Sequence, residues 1–363
     1  MKVVELTPAK LESAAQDNKK SAELAQLVYV SDTEPGIRRK RLGKSFVYLN
    51  ETSKVNDHRE LERIKKLVIP PAWEEVWICK LPNGHLQATG YDMRVRKQYR
   101  YHPMWNSVRS QTKFHHMYEF GKALPKIRKQ VGKDLAQPEL NEKKVLALLL
   151  KLMDETGIRI GNESYEKQNG SFGLTTLKDH HVSIQNNHTI QFLFKGKKGV
   201  MNKISLRNKR LARMVKQCRD IPGKELFQYY DEKGRHHSID SGKVNDYIHE
   251  LTGENFTAKD FRTWNGTVLA LSKLKSFEVP ISPAAAKKCL VETLDHVAEQ
   301  LSNTRTVCKK YYVHPAIFEK FEQAQLHSYF RKRHGDFDTF LSNDETVLLK
   351  ILEDAAGEKV KLQ

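Results

Sequence analysis

The chain has 363 residues, enough for two or three domains, and its 39% hydrophobic and 9% aromatic content excludes a disordered chain. Its formal net charge of +18 is spread along the sequence, which is typical of a nucleic-acid-binding protein; a solvated basic surface is the alternative. No apolar run approaches the roughly 20 residues that span a membrane, so no membrane partner is expected.

The cell compartment is indicated by two features. The first 20 residues, MKVVELTPAKLESAAQDNKK, lack the apolar core and the cleavage pattern of a signal peptide. The cysteines Cys79, Cys218, Cys289 and Cys308 are far apart and form no CxxC pair, which favours free thiols in a reducing compartment and argues against a zinc ribbon. We therefore predict a cytoplasmic protein without a structural metal.

The N-terminal third predicts a small α+β domain at residues 35–107, preceded by a polar extension at residues 1–34. The segment SFVYLN is typical of a strand, and EEVWICKLPNGHLQATGYD has two alternating runs around Pro82-Asn83-Gly84, which predicts a hairpin. Between them, HRELERIKKLVIPPAW predicts a short helix that is stopped by Pro70-Pro71.

Helical signals dominate residues 108–335. The segment EKKVLALLLKLMDETG is apolar nearly all round, which predicts a buried helix that ends at Gly157. Ser282-Pro283 predicts the start of another helix, with its apolar residues on one face. The tail at residues 336–363 contains ETVLLKILEDAAGEK, which predicts an amphipathic helix packed on the core.

A β insert interrupts these helices. The segment HVSIQNNHTIQFLFKGKKGVMNKISL has three alternating runs separated by turns at Asn186-Asn187 and at residues 196–199. It predicts a three-stranded sheet with Lys197 exposed in the second turn. The predicted fold class is therefore α+β, with a small β-rich N-terminal domain and a mainly α-helical second domain that carries the insert.

No familiar catalytic motif selects a reaction. Walker A, GxGxxG, HExxH and GxSxG patterns are absent, and the doublets His180-His181 and His236-His237 are more typical of loops than of metal sites. Without clustered carboxylates for Mg²⁺, phosphoryl transfer needs arginines to hold the charged oxygens, a lysine to protonate the leaving oxygen and a tyrosine to attack. The chain has many of each, and spacing alone does not choose among them.

The segment TVCKKYYVHP contains two adjacent tyrosines, which raises the question of which of them attacks a phosphate. Neighbouring residues point in different directions on a helix or strand, so at most one of Tyr311 and Tyr312 faces a given partner. His314-Pro315 predicts the start of the next helix, with proline at its first position. The residues leave open which tyrosine, if either, is a nucleophile and which is a packing residue.

Several segments carry a family resemblance: ETGIRIGNESY, NGSFGLTTLKDHHV, FKGKKG, AKDFRTWNGT, LSNTRTVCKKYYVHPAIFEKF, LVIPPAWEEVWIC, GHLQATGYDMRVRKQYRYHP and KFHHMYEFGKALPKIR. In order, over about residues 36–330, they resemble the type IB DNA topoisomerases of the bacterial and poxvirus-like branch, most closely the bacterial one.

The resemblance implies a tyrosine recombinase/topoisomerase IB-like catalytic domain and a C-shaped clamp around double-stranded DNA. It implies relaxation of supercoils through a 3′-phosphotyrosyl intermediate, strand swivelling and religation. No cofactor is expected, neither a metal ion nor a nucleotide. The protein is expected to be a monomer that is associated with the nucleoid.

Catalytic residues follow from the same resemblance. The arginines are Arg159, in GIRIG, and Arg262, in KDFRTW. An arginine at the first of these positions is more often a surface charge. The lysine is Lys197; its neighbour Lys198 is a rival, and the F-x-G-K pattern of the family selects the first. Lys259 lies three residues before the second arginine, on the same helical face, and is expected to contact DNA.

The nucleophile implied by the family register is Tyr312, with Tyr311 left as a packing or positioning residue. Nine residues earlier, where some branches have histidine, this chain has Asn303. An amide donates a hydrogen bond to a phosphate oxygen but carries no charge and moves no proton. Asparagine at this position is characteristic of the bacterial branch.

DNA contacts in the first domain are expected in RVRKQYRYHP, where cations alternate with aromatics. By resemblance, Gln98, Tyr99 and Tyr101 face the major groove, and Arg96 and Lys97 face the backbone. The same alternation also describes an ordinary exposed strand.

Two other functions fit part of the sequence. A tyrosine recombinase shares the chemistry but typically has H-x-x-R, where this chain has Lys259-x-x-Arg262. A non-enzymatic DNA-binding protein explains the charge equally well but leaves the set of catalytic positions unexplained.

Overall fold

The computed structural model describes residues 5–7, 10–11, 13–14, 17–43, 45–51, 53–331, 339–357 and 360–361. The chain divides into two compact units, residues 1–116 with 356–363 and residues 117–355. The predicted extension and tail lie partly outside the described residues. The domain limits given by the sequence stay a prediction.

The first unit is built on an antiparallel six-stranded sheet with the order β4-β3-β2-β5-β6-β7. Its strands are β2 (Ile37–Leu42), β3 (Ser45–Asn50), β4 (Ser53–Lys54), β5 (Glu74–Ile78), β6 (Leu86–Tyr91) and β7 (Lys97–Tyr101). A separate two-stranded ladder joins β1 (Glu5–Leu6) to β13 (Val360–Lys361).

Two short helices accompany this sheet, α1 (Asn18–Leu24) and α2 (His58–Lys66). The side chain of Asp57 caps α2 by accepting from the backbone N–H of Arg59, and the helix ends before Pro70, as predicted. The predicted hairpin is confirmed by the antiparallel pairing of β5 with β6.

The second unit is mainly helical. Helix α3 (Pro103–Leu135) begins in the first unit and continues into the second. The helices that follow are α4 (Glu142–Thr156), α5 (Glu163–Asn169), α6 (Lys209–Arg219), α7 (Ser241–Thr252), α8 (Ala258–Lys275), α9 (Pro283–Gln300), α10 (Arg305–Tyr311), α11 (Pro315–Glu322), α12 (Leu326–Arg331) and α13 (Asn343–Gly357).

Local sequence signals fix the ends of several of these helices. Helix α4 ends at Gly157, whose φ of 64° is the left-handed conformation that glycine adopts without strain. The hydroxyl of Ser282 accepts from the backbone N–H of Ala285 at the start of α9, and His314 caps α11 in the same manner. These three helix ends confirm the sequence-based predictions.

The predicted β insert is also confirmed. Its strands β8 (Val182–Gln185), β9 (Thr189–Lys195) and β10 (Met201–Arg207) form an antiparallel sheet with β9 in the centre. A short hairpin pairs β11 (Gln228–Tyr230) with β12 (His236–Ser238).

The main hydrophobic core lies in the second unit around α4 and α8. Val145, Leu148, Leu149 and Leu152 of α4 are fully buried in it. Helix α13 packs on the same core through the buried side chains Val347, Leu348, Ile351 and Leu352. The sheet of the first unit and the helices of the second confirm the predicted α+β class. None of the helices in the described ranges is long and apolar enough to cross a membrane.

Candidate active site

Helix α8 forms one side of the candidate site. Arg262, near its N-terminal end, is only 6% exposed, and its guanidinium donates to the carbonyl oxygens of Gly157 and Leu301. One turn later, Asn265 Nδ2 donates to the carbonyl oxygens of Asp154 (2.8 Å) and, less closely, of the preceding methionine. These bonds join α8 to the end of α4 and to the end of α9.

Arg159 lies in the loop that follows α4 and is half-buried. This loop is held by a neighbouring segment, because the backbone N–H of Leu174 donates to Arg159 O (2.9 Å) and that of Thr175 donates to Ile160 O (2.7 Å). The N–H of Phe172 donates to Lys195 O (2.8 Å), so the same segment is also joined to the end of β9.

Asn303 is positioned by the C-terminal turn of α9. The N–H of Asn303 donates to Ala298 O (2.8 Å) and that of Ser302 donates to Glu299 O (3.1 Å), which is the Schellman pattern of helix ends. Ser302 has the positive φ of 47° that this motif requires. When the oxygen of its side-chain amide faces the two guanidinium groups, Asn303 Oδ1 accepts from Arg159 Nη2 (2.9 Å) and Arg262 Nη2 (3.2 Å).

Tyr312 is the residue directly after α10, and its ring lies against Arg262, with the guanidinium carbon 5.1 Å from the ring centroid. Its backbone packs directly on α8: a Cβ added at Gly266 would lie 2.8 Å from Tyr312 O. The hydroxyl of Thr267 lies 3.1 Å from the same oxygen and accepts from the N–H of His314 (3.1 Å). The nucleophile candidate therefore has a fixed backbone.

The electrostatics of the site favour the ionised phenol. Burial raises the pKa of Tyr312, but the charges of Arg262 and Arg159, with hydrogen bonds from Arg262 and Asn303, outweigh burial and hold that pKa below its ordinary value. Burial and the neighbouring charge of Arg159 lower the pKa of Arg262 to about 10. The guanidinium of Arg262 thus favours ionisation of the phenol, and the phenolate in turn favours the charge of Arg262 against burial.

A second nucleophilic side chain lies close by. Cys308 is fully buried, and burial raises the pKa of its thiol to about 11, although Arg262 and Arg159 act in the opposite direction. Because the thiolate is the reactive form of cysteine, this thiol stays unreactive at neutral pH.

The two predicted lysines lie on exposed positions of the same unit. Lys197 lies in the turn between β9 and β10, and Lys259 lies in the first turn of α8, one turn before Arg262. The contacts given above that bring Arg159, Arg262, Asn303 and Tyr312 together involve neither lysine.

The residues that were predicted to contact DNA from the first domain lie on and beside β7, an edge strand. Lys97, Tyr99 and Tyr101 share its exposed face; Lys97 Nζ lies 2.5 Å from Asp32 Oδ2, and the tyrosine rings stack at 5.9 Å. Gln98 lies on the opposite face and donates to Asp92 Oδ2 (3.0 Å), which also binds the guanidinium of Arg96.

Comparison with known proteins gives the family. Residues 102–334 match the family described as "Eukaryotic DNA topoisomerase I, catalytic core", and residues 45–92 match "Bacterial DNA topoisomerase IB, N-terminal domain". The first match covers more than half of the chain. The protein belongs to the type IB DNA topoisomerase family.

Individual relatives of this topoisomerase belong to the same family. DNA topoisomerase 1B of Acanthamoeba polyphaga mimivirus is 34% identical over 295 residues, which cover 79% of this chain and 88% of the relative. DNA topoisomerase 1B of Vaccinia virus (strain Western Reserve) is 24% identical over 311 residues, which cover 83% and 94%. DNA topoisomerase 1 of Schizosaccharomyces pombe is 27% identical, with 57% of this chain and 24% of the relative covered.

Three residues of the topoisomerase site were not predicted from the sequence. Asn265, Gly266 and Thr267 lie one turn after Arg262 and join α8 to α4 and to Tyr312. A glycine inside an otherwise helical pattern often marks close packing, so the NG pair in RTWNGT was the signal that was available. Its partner across the contact could not be read from the sequence.

Proposed function

We propose that this type IB topoisomerase relaxes supercoiled DNA by transient cleavage of one strand, and that it needs neither ATP nor a metal ion. The observation that carries the proposal is that four separate segments of the chain bring Arg159, Arg262, Asn303 and Tyr312 together. Two guanidinium groups and a tyrosine with a lowered pKa are what a phosphodiester cleavage without metal requires.

In the cleavage step, Tyr312 Oη forms a bond to the scissile phosphorus and the bond from phosphorus to O5′ breaks. The products are a 3′-phosphotyrosyl ester and a 5′-hydroxyl. Arg159 and Arg262 hold the nonbridging oxygens as their charge increases, and the amide of Asn303 donates a further hydrogen bond. The resemblance assigns Lys197 as the acid that gives its proton to O5′, which balances the proton that the phenol loses.

Religation reverses these events. The 5′-hydroxyl attacks the phosphotyrosyl ester, the tyrosine leaves, and the strand is sealed after the free end has swivelled. The ester retains the free energy of the broken phosphodiester, so no nucleotide is required. Contacts of Lys259, Arg96, Lys97, Gln98, Tyr99 and Tyr101 with DNA remain part of the proposal, as do the clamp, the monomeric state and the nucleoid-associated location.

Relaxation of a plasmid in the presence of EDTA and without ATP tests the proposal. Wild-type protein is expected to relax supercoils of either sign, and Tyr312→Phe is expected to lose all relaxation. Tyr311→Phe is the matched control, because Tyr311 is 46% exposed and adjacent in sequence; it should relax DNA as the wild type does. The proposal fails if wild-type protein leaves supercoils intact across a range of salt.

The polarity of the covalent link needs a separate measurement. When cleavage is stopped with detergent, a strand labelled at its 5′ end should migrate as a protein adduct, and a strand labelled at its 3′ end should appear as a free fragment. The opposite result would exclude a 3′-phosphotyrosyl ester. An adduct that persists in Tyr312→Phe and is lost in Tyr311→Phe would show that Tyr311, and not Tyr312, is the nucleophile.

A further inference from the structure

A buried carboxylate lies at the start of the C-terminal helix α13. Glu345 is 6% exposed, and both of its oxygens are fully engaged. Its Oε1 accepts from Trp264 Nε1 (2.9 Å) and Arg128 Nη2 (2.7 Å). Its Oε2 accepts from Arg128 Nη1 (2.9 Å) and from the backbone N–H of Ser342 (2.8 Å). Four donors from three separate parts of the chain therefore meet at one side chain.

Arg128 of α3 connects this carboxylate to a second one. Its Nε and Nη2 donate to the two oxygens of Asp154, in the last turn of α4, at 2.8 and 2.9 Å. The side chains of Arg128, Asp154 and Glu345 are 17%, 6% and 8% exposed. A buried charge group of this kind is costly unless its geometry is well defined, because each ion has lost its water.

The two ends of this network lie next to the active site in sequence. Asp154 lies two residues before the end of α4, just ahead of the loop that carries Arg159, and its carbonyl oxygen accepts from Asn265 of α8. Trp264, at the other end, is fully buried and lies two residues after Arg262. The network thus joins the end of the helix before one guanidinium to the helix that carries the other.

We propose that Glu345 and Arg128 are positioning residues, which fix α4 against α8 and thereby hold Arg159 and Arg262 at Tyr312. The inference rests on the proposed function, and it gives the C-terminal helix a role in the reaction although it touches no reacting atom. The alternative is a network that stabilises the fold without affecting the placement of the guanidinium groups.

Glu345→Gln is the informative substitution. Glutamine retains one acceptor oxygen for Trp264, and its backbone N–H still donates to the Ser342 hydroxyl. Its amide nitrogen accepts neither from Arg128 nor from the N–H of Ser342, so Arg128 is left with one carboxylate. If the guanidinium groups then move away from Tyr312, the phenol ionises less readily. A rise of one unit in its pKa lowers the ionised fraction at neutral pH about tenfold, so cleavage should fall by about that factor.

Two variants accompany it. Arg128→Lys keeps the charge but lacks the planar fork that spans both carboxylates, so it should have the same effect and provides a second test where Glu345→Gln does not fold. Glu353→Gln is the matched control, because Glu353 lies on the same helix and its ion pair with Lys350 (2.8 Å) is exposed. It should leave cleavage unchanged.

The first readout is independent of activity. When the tyrosines are labelled with ¹³C at Cζ, the resonance of Tyr312 is assigned by its absence in Tyr312→Phe. The titration midpoint of this resonance gives the pKa of the phenol directly. We expect this midpoint to rise in Glu345→Gln and Arg128→Lys and to stay at the wild-type value in Glu353→Gln. A network with only a structural role would lower the melting temperature without moving the midpoint.

The second readout is single-turnover cleavage, corrected for the folded fraction. The inference is overturned when both variants keep the wild-type midpoint and the wild-type cleavage rate per folded molecule, even though they melt earlier. That outcome leaves the proposed function intact. Absence of cleavage by the wild type would instead remove the proposed function, while the titration midpoints still decide whether the network positions the guanidinium groups.

Discussion

At the residue scale, the phenol of Tyr312 and the guanidinium of Arg262 control each other's ionisation. Burial opposes a charge on either group, yet the attraction between them and the second guanidinium, Arg159, keeps the pKa of Tyr312 below its ordinary value. An isolated buried tyrosine would have a raised pKa. The pKa of the candidate nucleophile is therefore lowered in the protein without DNA.

The pH dependence of cleavage follows from these shifts. Cleavage should rise with pH as Tyr312 loses its proton, and this rise should lie at lower pH than for an ordinary tyrosine, because the two guanidinium groups lower the pKa of the phenol. Single-turnover cleavage of a strand that cannot be religated, measured from neutral to alkaline pH, checks the position of this rise.

Arg159→Gln is the control for the cause of the shift. Removal of this charge should move the rising limb to higher pH and lower the rate at neutral pH. A rising limb that stays in place would show that Arg159 does not act on the phenol. DNA affinity, measured with the same substrate, separates this effect from weaker binding.

At the scale of single elements, α8 depends on a close contact at Gly266. Alanine gains about 1 kcal/mol over glycine in a helix interior, but its Cβ would lie 2.8 Å from Tyr312 O, and overpacking costs about 1–3 kcal/mol. Because the obstructing atom belongs to the backbone, Tyr312 must move. Gly266→Ala should therefore lose most cleavage even where its stability, measured by thermal unfolding, changes little.

Gly132→Ala is the matched control for this prediction. Gly132 also lies inside a helix, α3, and an added Cβ meets no atom within 4 Å. This variant should be as active as the wild type and as stable or more stable. Equal activity of both alanine variants would show that the contact at Gly266 does not position Tyr312.

The β9–β10 turn gives a second prediction at this scale. If Lys197 protonates O5′, Lys197→Ala should slow cleavage about 10²–10⁴-fold, the usual contribution of a general acid. A substrate with sulfur at the bridging 5′ position has a leaving group that needs no proton, so it should restore the rate. Cleavage rates for the oxygen and sulfur substrates give the measurement.

Lys198→Ala serves as the comparison, because Lys198 lies in the same turn with a φ of 61° and is the rival assignment. It should slow cleavage of neither substrate substantially. If the sulfur substrate restores the cleavage rate of Lys198→Ala and not that of Lys197→Ala, then Lys198, and not Lys197, is the general acid.

At the scale of the whole molecule, the net charge of +18 governs DNA binding. A protein that contacts about 6–10 phosphates loses roughly 10³–10⁵ in affinity between about 50 and about 200 mM salt, because counterions are released. We expect duplex binding by Tyr312→Phe, the variant proposed not to cleave, to show a salt dependence of this order. Thermal unfolding at the same salt concentrations checks that the fold persists, and salt-independent binding would contradict the prediction.

The sequence by itself determined the elements of this protein and, through family resemblance, its candidate residues. Helix α4, its end at Gly157, the cap at Ser282 and the β insert with Lys197 in its turn were all predicted, because apolar periodicity, caps and turns depend on neighbours a few positions apart. The choice of Tyr312 over its neighbour required the family register, since periodicity alone did not distinguish them.

Only the tertiary structure decided which side chains meet. The bond from Arg262 to the carbonyl of Gly157 joins residues 105 positions apart, and Glu345 reaches Arg128 across 217 positions. Such contacts depend on how whole helices pack, and one sequence offers many arginines and glutamates with the same local signals. Ser342 and Glu345 bond to each other at the start of α13, and the same carboxylate also joins α3 and α8, which follows from burial and packing in three dimensions.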